Sequence, residues 1–319
     1  MKHLNASWPT LNDDAAAPRV ARVPHTTTHH GYVHSDPYAW LRADNWLEVL
    51  SDPARLPAPI REHLDTENVY CERVLQPLRE LERELFAELE ARILQADREL
   101  PRASGAYEYF FEYEAGAAQP RYCRRRRGRD EQVLDEQVLF DAAARAAQSR
   151  YFALRDVRHS PDHRWLAVAV DERGAESYDI EIYRVDDLTV SFATLQGSSG
   201  QFGWNADSGS INYVALDDAG RPRQLRRHVI ARAGADPIVH EEPDPDFFIR
   251  LVQGDSGEYL IIHSASHTSA ELWLISTSQP LAAPRCIWAR QPGVTCEVAC
   301  SSEHVFLLSS DAEPAIWRV

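Results

Sequence analysis

The sequence predicts a mainly β fold, a partial β-propeller preceded by an N-terminal helical segment. One unit of turn, strand, hairpin and strand recurs along the chain and is clearest at Ser160–Val185. The first long strands of the copies start 46, 48 and 46 residues apart, at Trp165, Ile211, Tyr259 and Val305. A four-stranded unit that recurs at about 40–50 residues is typical of a propeller blade.

The pattern of apolar residues favours a propeller over a β-sandwich. Trp165–Val170 (WLAVAV) is almost continuously apolar, whereas Tyr178–Val185 (YDIEIYRV) alternates polar and apolar residues. A continuously apolar strand has to be covered on both faces. Neighbouring propeller blades provide this cover for the middle strands, and a sandwich would not need equally spaced copies.

Changes in composition divide the chain into three predicted parts. Residues 1–18 are polar and are expected to form a disordered tail. Residues 19–99 are expected to form a strap and a helical segment, and residues 100–319 the partial propeller. The strap, Arg19–Arg42, has no helical period and is expected to be extended. Four apolar side chains are expected to hold it across another surface: Tyr32, Tyr38, Trp40 and Leu41.

Two helices are predicted after the strap, at Ile60–Leu75 and from Pro77 to about Gln95. The second helix carries one apolar stripe with steps of three and four residues, formed by Leu78, Leu81, Leu85, Leu89 and Ile93. The stripe is too short for a stable coiled coil. We therefore expect it to pack on its own domain.

About four and a half blades are predicted after residue 100. The first has strands at Tyr107–Tyr113, Arg121–Arg125 and Gln132–Leu139, followed by a short helical insert at Asp141–Gln148. Gly197–Gly200 is expected to be a linker between blades. The later blades are predicted at Phe152–Leu195, Gln201–Glu242 and Phe247–Arg290, with part of a fifth at Val294–Val319.

Composition excludes some classes of protein. The net charge of −15 argues against nucleic-acid binding, which requires a basic surface, and weakly favours cationic ligands. The five cysteines have no paired spacing, which predicts reduced thiols in a cytoplasmic protein. No apolar run is long enough for a membrane span, and the N-terminus has no signal-peptide core.

Two motifs resemble sites but are interpreted as structural. Gly254–Gly257 (GDSG) looks like the nucleophile loop of chymotrypsin-type proteases, yet it occupies the turn position of the repeat and precedes Glu258. No G-x-S-x-G motif of an α/β-hydrolase is present. Arg124–Arg129 (RRRRGR) lies at a predicted hairpin tip and is expected to be a solvated turn.

The histidines and cysteines are also interpreted as residues that form neither a metal site nor a disulfide. His25, His29, His30 and His34 lie in a stretch with no expected fixed face and no acidic or cysteine partner at ligand spacing, which argues against a metal site. Cys296 and Cys300 would share one strand face about 13 Å apart, too far for a disulfide. The sequence therefore predicts no catalytic, cofactor-binding or metal-binding residue in this chain.

Several segments resemble the prolyl oligopeptidase family of serine peptidases. Pro24–Arg42 (PH…HG…DPYAWLR), followed by Glu67–Tyr70 (ENVY) in a helix, is similar to the N-terminus of that family. The resemblance covers about residues 19–319. Four further segments look most like the oligopeptidase B branch: Glu84–Ile93, Pro120–Arg125, Phe152–Asp162 and Glu241–Phe248.

The resemblance implies a three-part enzyme: a helical segment, a seven-bladed propeller and a C-terminal α/β-hydrolase domain with a Ser-Asp-His triad. It implies cleavage of short peptides after Arg or Lys, with the propeller gating access to the active site. The family's catalytic and specificity positions lie beyond Val319, so none is carried over. This chain alone is expected to be inactive and to support the catalytic domain, its expected partner.

Two other hypotheses about the function remain. The chain could be a stand-alone, catalytically dead propeller-like binding module. The other hypothesis is a metal-dependent enzyme that uses the histidines, and metal analysis of the purified protein would test it. In-frame or frameshifted codons for more blades and a G-x-S-x-G motif downstream of Val319 would favour the peptidase fragment, and a clean stop would favour the binding module.

Overall fold

A computed structural model describes residues 11–12, 16–128, 134–189, 191–254, 257–300 and 304–311. The chain divides into two compact units, Met1–Gln95 and Ala96–Val319. Most of the predicted tail and the last residues of the predicted fifth blade lie outside the described residues. The two units are considered in turn.

The strap of the first unit folds into a hairpin, so the prediction of an extended segment is wrong. His30 and Gly31 both have positive φ angles, 50° and 83°, which is the backbone of a tight mirror-image turn. Tyr32, beside this turn, is 81% exposed and anchors nothing in the described structure. The elements of this unit are β1 (Thr26–His29), β2 (Tyr32–Ser35), α1 (Trp46–Ser51), α2 (Ala58–Leu75) and α3 (Arg79–Glu90).

The two long helices confirm the predicted helical pair. A 3₁₀ turn at Gln76–Leu78 separates α2 from α3, and Pro77 sits in it, where a missing N–H costs least. The expected packing of the α3 stripe is wrong, because Leu85, Leu89 and Ile93 are 47%, 59% and 66% exposed. Among the described apolar side chains of this unit, only that of Ile60 is buried. The described residues of the unit therefore leave the stripe uncovered.

The second unit is built from antiparallel strands throughout its described residues. The first blade also carries α4 (Ala142–Ala146), whose N-terminal Ala144 N–H is accepted by the Asp141 carboxylate at 2.8 Å, as the predicted insert requires. The first-blade strands are β3 (Asp97–Arg98), β4 (Arg102–Ser104), β5 (Tyr107–Tyr113), β6 (Arg121–Arg126) and β7 (Leu134–Asp141).

The later strands follow the predicted repeats. The second blade contains β8 (Ala153–His159), β9 (Trp165–Asp171), β10 (Tyr178–Arg184) and β11 (Ala193–Trp204). The third adds β12 (Ser210–Leu216), β13 (Pro222–Val229) and β14 (Ile238–Glu241). The fourth comprises β15 (Phe248–Gln253), β16 (Tyr259–Ala265), β17 (Ala270–Ser276) and β18 (Arg285–Trp288), and the fifth begins with β19 (Cys296–Cys300) and β20 (Val305–Ser309).

Strand β11 joins two blades, and Gly197–Gly200, predicted as a linker between blades, lies where this strand passes from the second blade to the third. Its first half pairs with β10 and its second half with β12, with a shift of register between them. Gly197 and Gly200 have φ angles of 68° and 77°, which residues with a Cβ rarely adopt. The two glycines let the strand bend from one sheet into the next without ending.

Neighbouring blades share apolar cores, which explains the continuously apolar strands. In β9, Leu166 and Val168 pack toward the first blade, whereas Ala167 and Ala169 pack toward the third. The same division recurs in β16, where Ile262 faces the third blade and Ile261 the fifth. Each middle strand is thus covered on both faces, and the predicted propeller packing is confirmed.

The turns that follow the first strand of the second, third and fourth blades repeat the same backbone bond. Ser160 N donates to Trp165 O at 2.8 Å, Asn205 N to Ser210 O at 3.0 Å, and Gly254 N to Tyr259 O at 3.4 Å. These turns also tie blades together: Asp162 N donates to Ser208 Oγ at 3.0 Å, which links the second blade to the third. The sequence repeat is therefore a repeat of hydrogen bonding as well.

Candidate functional site

The motif at Gly254–Gly257 is placed in one of these repeated turns. Gly257 N donates to Gly254 O at 2.9 Å and closes a tight turn. Asp255 and Ser256 lie outside the described residues. The turn position agrees with the structural interpretation of this segment.

The arginine run is less solvated than its sequence predicts. Strand β6 continues to Arg126, and the Arg124 guanidinium lies 4.4 Å from the ring centroid of Tyr107. Arg125 donates to the Glu108 carboxylate at 2.8 Å. The expectation of a solvated turn is therefore wrong for Arg124 and Arg125, because aromatic and acidic residues of β5 pair with them across the strand.

The hairpin gives the N-terminal histidines a fixed face, contrary to expectation. His29 pairs with Tyr32 and Thr27 with His34, so His29 and His34 lie on the same side of the hairpin. Within the described ranges, no three His, Cys, Asp or Glu side chains are grouped closely enough to hold a metal ion. Cys296 is buried in β19, and burial raises its thiol pKa to about 11, which agrees with a packing role.

The first strands of successive blades lie side by side and form an inner wall. The Trp204 indole N–H donates to Arg158 O at 3.1 Å, joining β11 to β8. Leu251 N donates to Gln201 Oε1 at 3.0 Å, joining β15 to β11. Two cavities open along this wall, of about 530 Å³ and 460 Å³.

A bridge between two blades crosses the larger cavity. The Arg158 guanidinium is held by the Asp156 carboxylate at 2.7 Å and donates to Gln253 Oε1, also at 2.7 Å. Gly203 of the intervening strand makes room, since a Cβ at that position would lie 3.2 Å from Gln253 Oε1. The bridge therefore passes over the inner strand of the third blade and ties together the inner strands of the blades on either side.

A Tyr–His cluster forms another side of the same cavity. The His159 ring stacks on Tyr109 with centroids 3.6 Å apart, and its two nitrogens are hydrogen-bonded to the Tyr122 hydroxyl (3.1 Å) and the Ser104 hydroxyl (3.0 Å). Burial is the main cause that lowers the pKa of His159 to about 4 and raises that of Tyr109 to about 12. Both groups stay neutral near pH 7, and their contacts join the first blade to the second.

The Glu241–Phe248 segment forms a buried ionic joint between the third and fourth blades. Glu242 is 1% exposed, accepts from the Ser264 hydroxyl and pairs with Arg290 at 2.6 Å. The Arg290 guanidinium also lies 3.4 Å from the ring centroid of Phe247. The acidic, aromatic character of this segment is therefore explained by one arginine that it encloses.

Sequence reasoning missed the inner-wall residues. Arg158 and Gln253 are 95 positions apart, and nothing in their local sequence pairs them. The available signal was the run of polar residues in the first strand of the second blade, Leu154–His159 (LRDVRH), where every other repeat strand in that position is less charged. Polar residues on an inner strand of a propeller point to a polar channel wall.

Comparison with known proteins relates this architecture to peptidases. Residues 18–319 match the family model described as the prolyl oligopeptidase N-terminal beta-propeller domain. Protease 2 of Moraxella lacunata is 24% identical over 299 residues, covering 92% of this chain and 42% of the relative. Dipeptidyl aminopeptidase BI of Pseudoxanthomonas mexicana is 28% identical over 299 residues, covering 89% of this chain and 38% of the relative.

A solved structure gives the same result for the fold. The structure of oligopeptidase B from Leishmania major superimposes with a TM-score of 0.78 at 26% identity, covering 93% of this chain and 43% of that one. The chain thus spans about two fifths of the length of the proteins it matches. No helix among the described residues is long and apolar enough to cross a membrane. The chain belongs to the prolyl oligopeptidase family, in which it corresponds to the N-terminal β-propeller part.

Proposed function

We propose that this chain is the helical and propeller part of an oligopeptidase B-like serine peptidase that cleaves short peptides after Arg or Lys. The observation that carries the proposal is the match of residues 18–319 to the family's propeller domain, in a chain that spans 42% of Protease 2. In this proposal the nucleophile, base and oxyanion donors belong to an α/β-hydrolase domain. The propeller gates access to that domain and supports it.

The exposed stripe of α3 supports the need for a partner. Leu85 and Leu89 of the stripe, Ile93 just after the end of α3, and the neighbouring Phe86 leave about half or more of their surfaces in water, in a unit whose described apolar core is limited to Ile60. Contiguous apolar surface of this kind marks interaction sites, and a helix gains most of its stability from burying such a face. We assign the stripe to the contact with the hydrolase domain.

The bridge across the inner wall supports the gating role. Arg158 and Gln253 hold the second and fourth blades together over the third, and such a tie opposes the separation of blades that would admit a folded domain. The acidic net charge of −15 favours the approach of basic peptides by long-range attraction. We base the proposed specificity for Arg or Lys on the similarity to oligopeptidase B. We base the proposed cytoplasmic location on the cysteines, which have no paired spacing in the sequence.

Co-expression with a catalytic domain tests the proposal. The chain is produced with the segment of Protease 2 that follows the matched region, and both co-purification and hydrolysis of a fluorogenic Arg-Arg peptide are measured. We expect a stable complex that hydrolyses this peptide, while the chain alone gives no signal above a mock purification. A chain that labels with a serine-directed phosphonate by itself, or that never associates with the catalytic segment, would contradict the proposal.

A further inference from the structure

Several side chains with hydrogen-bond donors line the smaller cavity of the inner wall. This cavity has a volume of about 460 Å³ and is lined by the first strands of the second to fifth blades, together with Pro222 of β13 and with His263 and Ala265 of β16. Arg155, Ser199, Gln201 and Arg250 line it, and Glu297 is an acidic residue on its border. A donor-rich cavity is unusual in a chain whose net charge is −15.

Arg155 makes no hydrogen bond or ion pair within the described part of the chain. Its stem lies flat on Gly200, where a Cβ would come within 2.6 Å of Arg155 Cγ. Gly200 has a φ of 77°, so a side chain there would be strained as well as crowded. The glycine therefore leaves room for the Arg155 stem beside the cavity that this side chain lines.

Two further side chains, those of Ser199 and Gln201, leave donors free for a ligand, whereas Arg250 is already paired. Gln201 uses its Oε1 to accept from Leu251 N at 3.0 Å, so its amide N–H groups remain available. The buried Ser199 hydroxyl has no hydrogen-bond partner in the described structure. Arg250 is fixed by donating to His263 Nδ1 at 2.5 Å and by an ion pair with Glu297.

We propose that this cavity binds the C-terminal carboxylate of short peptides, with Arg155 as its principal partner and Ser199 and Gln201 as further donors. A carboxylate has two acceptor oxygens that match the planar donors of a guanidinium. The cavity is large enough for a terminal residue and lies on the wall that a peptide would pass. This inference rests on the proposed function, because it takes peptides as the ligands, and it names the group of the peptide that is recognised.

Peptide binding to the full chain tests the subsite. A fluorescein-labelled Gly-Ala-Leu-Ala peptide is prepared with a free carboxylate and with a C-terminal amide, and fluorescence anisotropy gives the affinity of each. We expect the acid to bind about tenfold more tightly than the amide, since a charge-assisted hydrogen bond is lost in the amide. Arg155→Gln should abolish this difference without lowering the melting temperature, because the side chain is exposed.

Arg184→Gln is the matched control, since Arg184 lies on β10 of the same blade and pairs with Asp186 at 2.8 Å, away from the cavity. Equal binding of acid and amide, or an effect of Arg155→Gln no larger than that of Arg184→Gln, would overturn the subsite. Arg155-dependent binding of inorganic phosphate without binding of the peptide acid would overturn the peptide as ligand. Absence of any binding would also overturn the subsite, whereas the proposed function is judged separately by the co-expression assay.

Discussion

Arg158 Nη1 donates to Gln253 Oε1 at 2.7 Å and thereby joins the second blade directly to the fourth. Adjacent blades of this protein are held by apolar cores, but this bond passes over the blade between them. Asp156 fixes the other side of the guanidinium at 2.7 Å. The bridge passes close to Gly203, because a Cβ at that position would lie 3.2 Å from Gln253 Oε1.

Gly203→Ala is expected to destabilise the chain by about 1–3 kcal/mol. The new Cβ would collide with the buried side chain of Leu260 and crowd Gln253 Oε1, and neither neighbour can move without disturbing the wall. Urea unfolding followed by tryptophan fluorescence measures the change. Gly209→Ala is the control and should be near neutral, since its Cβ would meet nothing closer than 3.8 Å.

Arg290→Met is expected to cost about 3–5 kcal/mol, because it leaves the buried Glu242 carboxylate without its counter-ion. The double variant Glu242→Gln/Arg290→Met should recover part of this loss, since no unpaired charge is then buried. Thermal and urea unfolding give both values. Arg164→Met, at a side chain that is 80% exposed, should change stability by less than about 0.5 kcal/mol. A loss at Arg290 no larger than this would contradict the buried joint.

Stability should decrease as the pH falls from about 6.5 to about 4. The pKa of His159 is lowered from 6.5 to about 4, mainly by burial, so between these values the unfolded chain binds a proton that the folded chain excludes. The contribution of this group is present above pH 6.5 and amounts to at most about 3 kcal/mol. Unfolding free energies at pH 7.0 and 4.5 measure the slope.

The variant His159→Phe separates this group from other titrating residues. It keeps a ring against Tyr109 but removes the proton uptake, so its stability should change less between pH 7.0 and 4.5 than that of the parent. His267→Phe, at an exposed loop position, should keep the parental slope. Equal slopes for the parent and His159→Phe would show that His159 does not titrate differently in the folded chain.

Leu85→Asp is expected to change the stability of the isolated chain by less than about 1 kcal/mol, since Leu85 is 47% exposed. The helical period alone predicts a much larger loss, because it predicts burial. The same variant should prevent association with a catalytic segment, where a charge would enter an apolar contact. Glu88→Gln, on the same helix, should leave that association intact.

Local pattern predicted much of this fold. The strand Tyr107–Tyr113 is found with its predicted bounds as β5, and the repeated apolar strands fall in β9, β12, β16 and β20. These features depend on the spacing of apolar residues and on the turn residues between strands, and both can be found from residues that are close together in the sequence. The hairpin at His30–Gly31 was missed because its turn depends on left-handed backbone at a histidine, which is uncommon outside glycine.

The inner wall could not be predicted for a different reason. Arg158 and Gln253, or Arg155 and Gly200, meet only after several sheets have packed in order. The burial of the α3 stripe was predicted wrongly because the spacing of apolar residues shows which side chains share a helix face. It does not show what covers that face. The sequence thus predicts the blades, whereas their joints and cavities depend on tertiary packing.

The most direct test of the central claim uses a chimera in which this chain replaces the matched N-terminal region of Protease 2. The measurement is kcat/KM for a short Arg-containing peptide, compared with the cleavage rate of a folded protein that displays the same sequence on its surface. We expect the chimera to hydrolyse the peptide and to leave the folded protein intact. Equal cleavage of both substrates, or a folded chimera that labels with a phosphonate but shows no preference for Arg or Lys peptides, would contradict it.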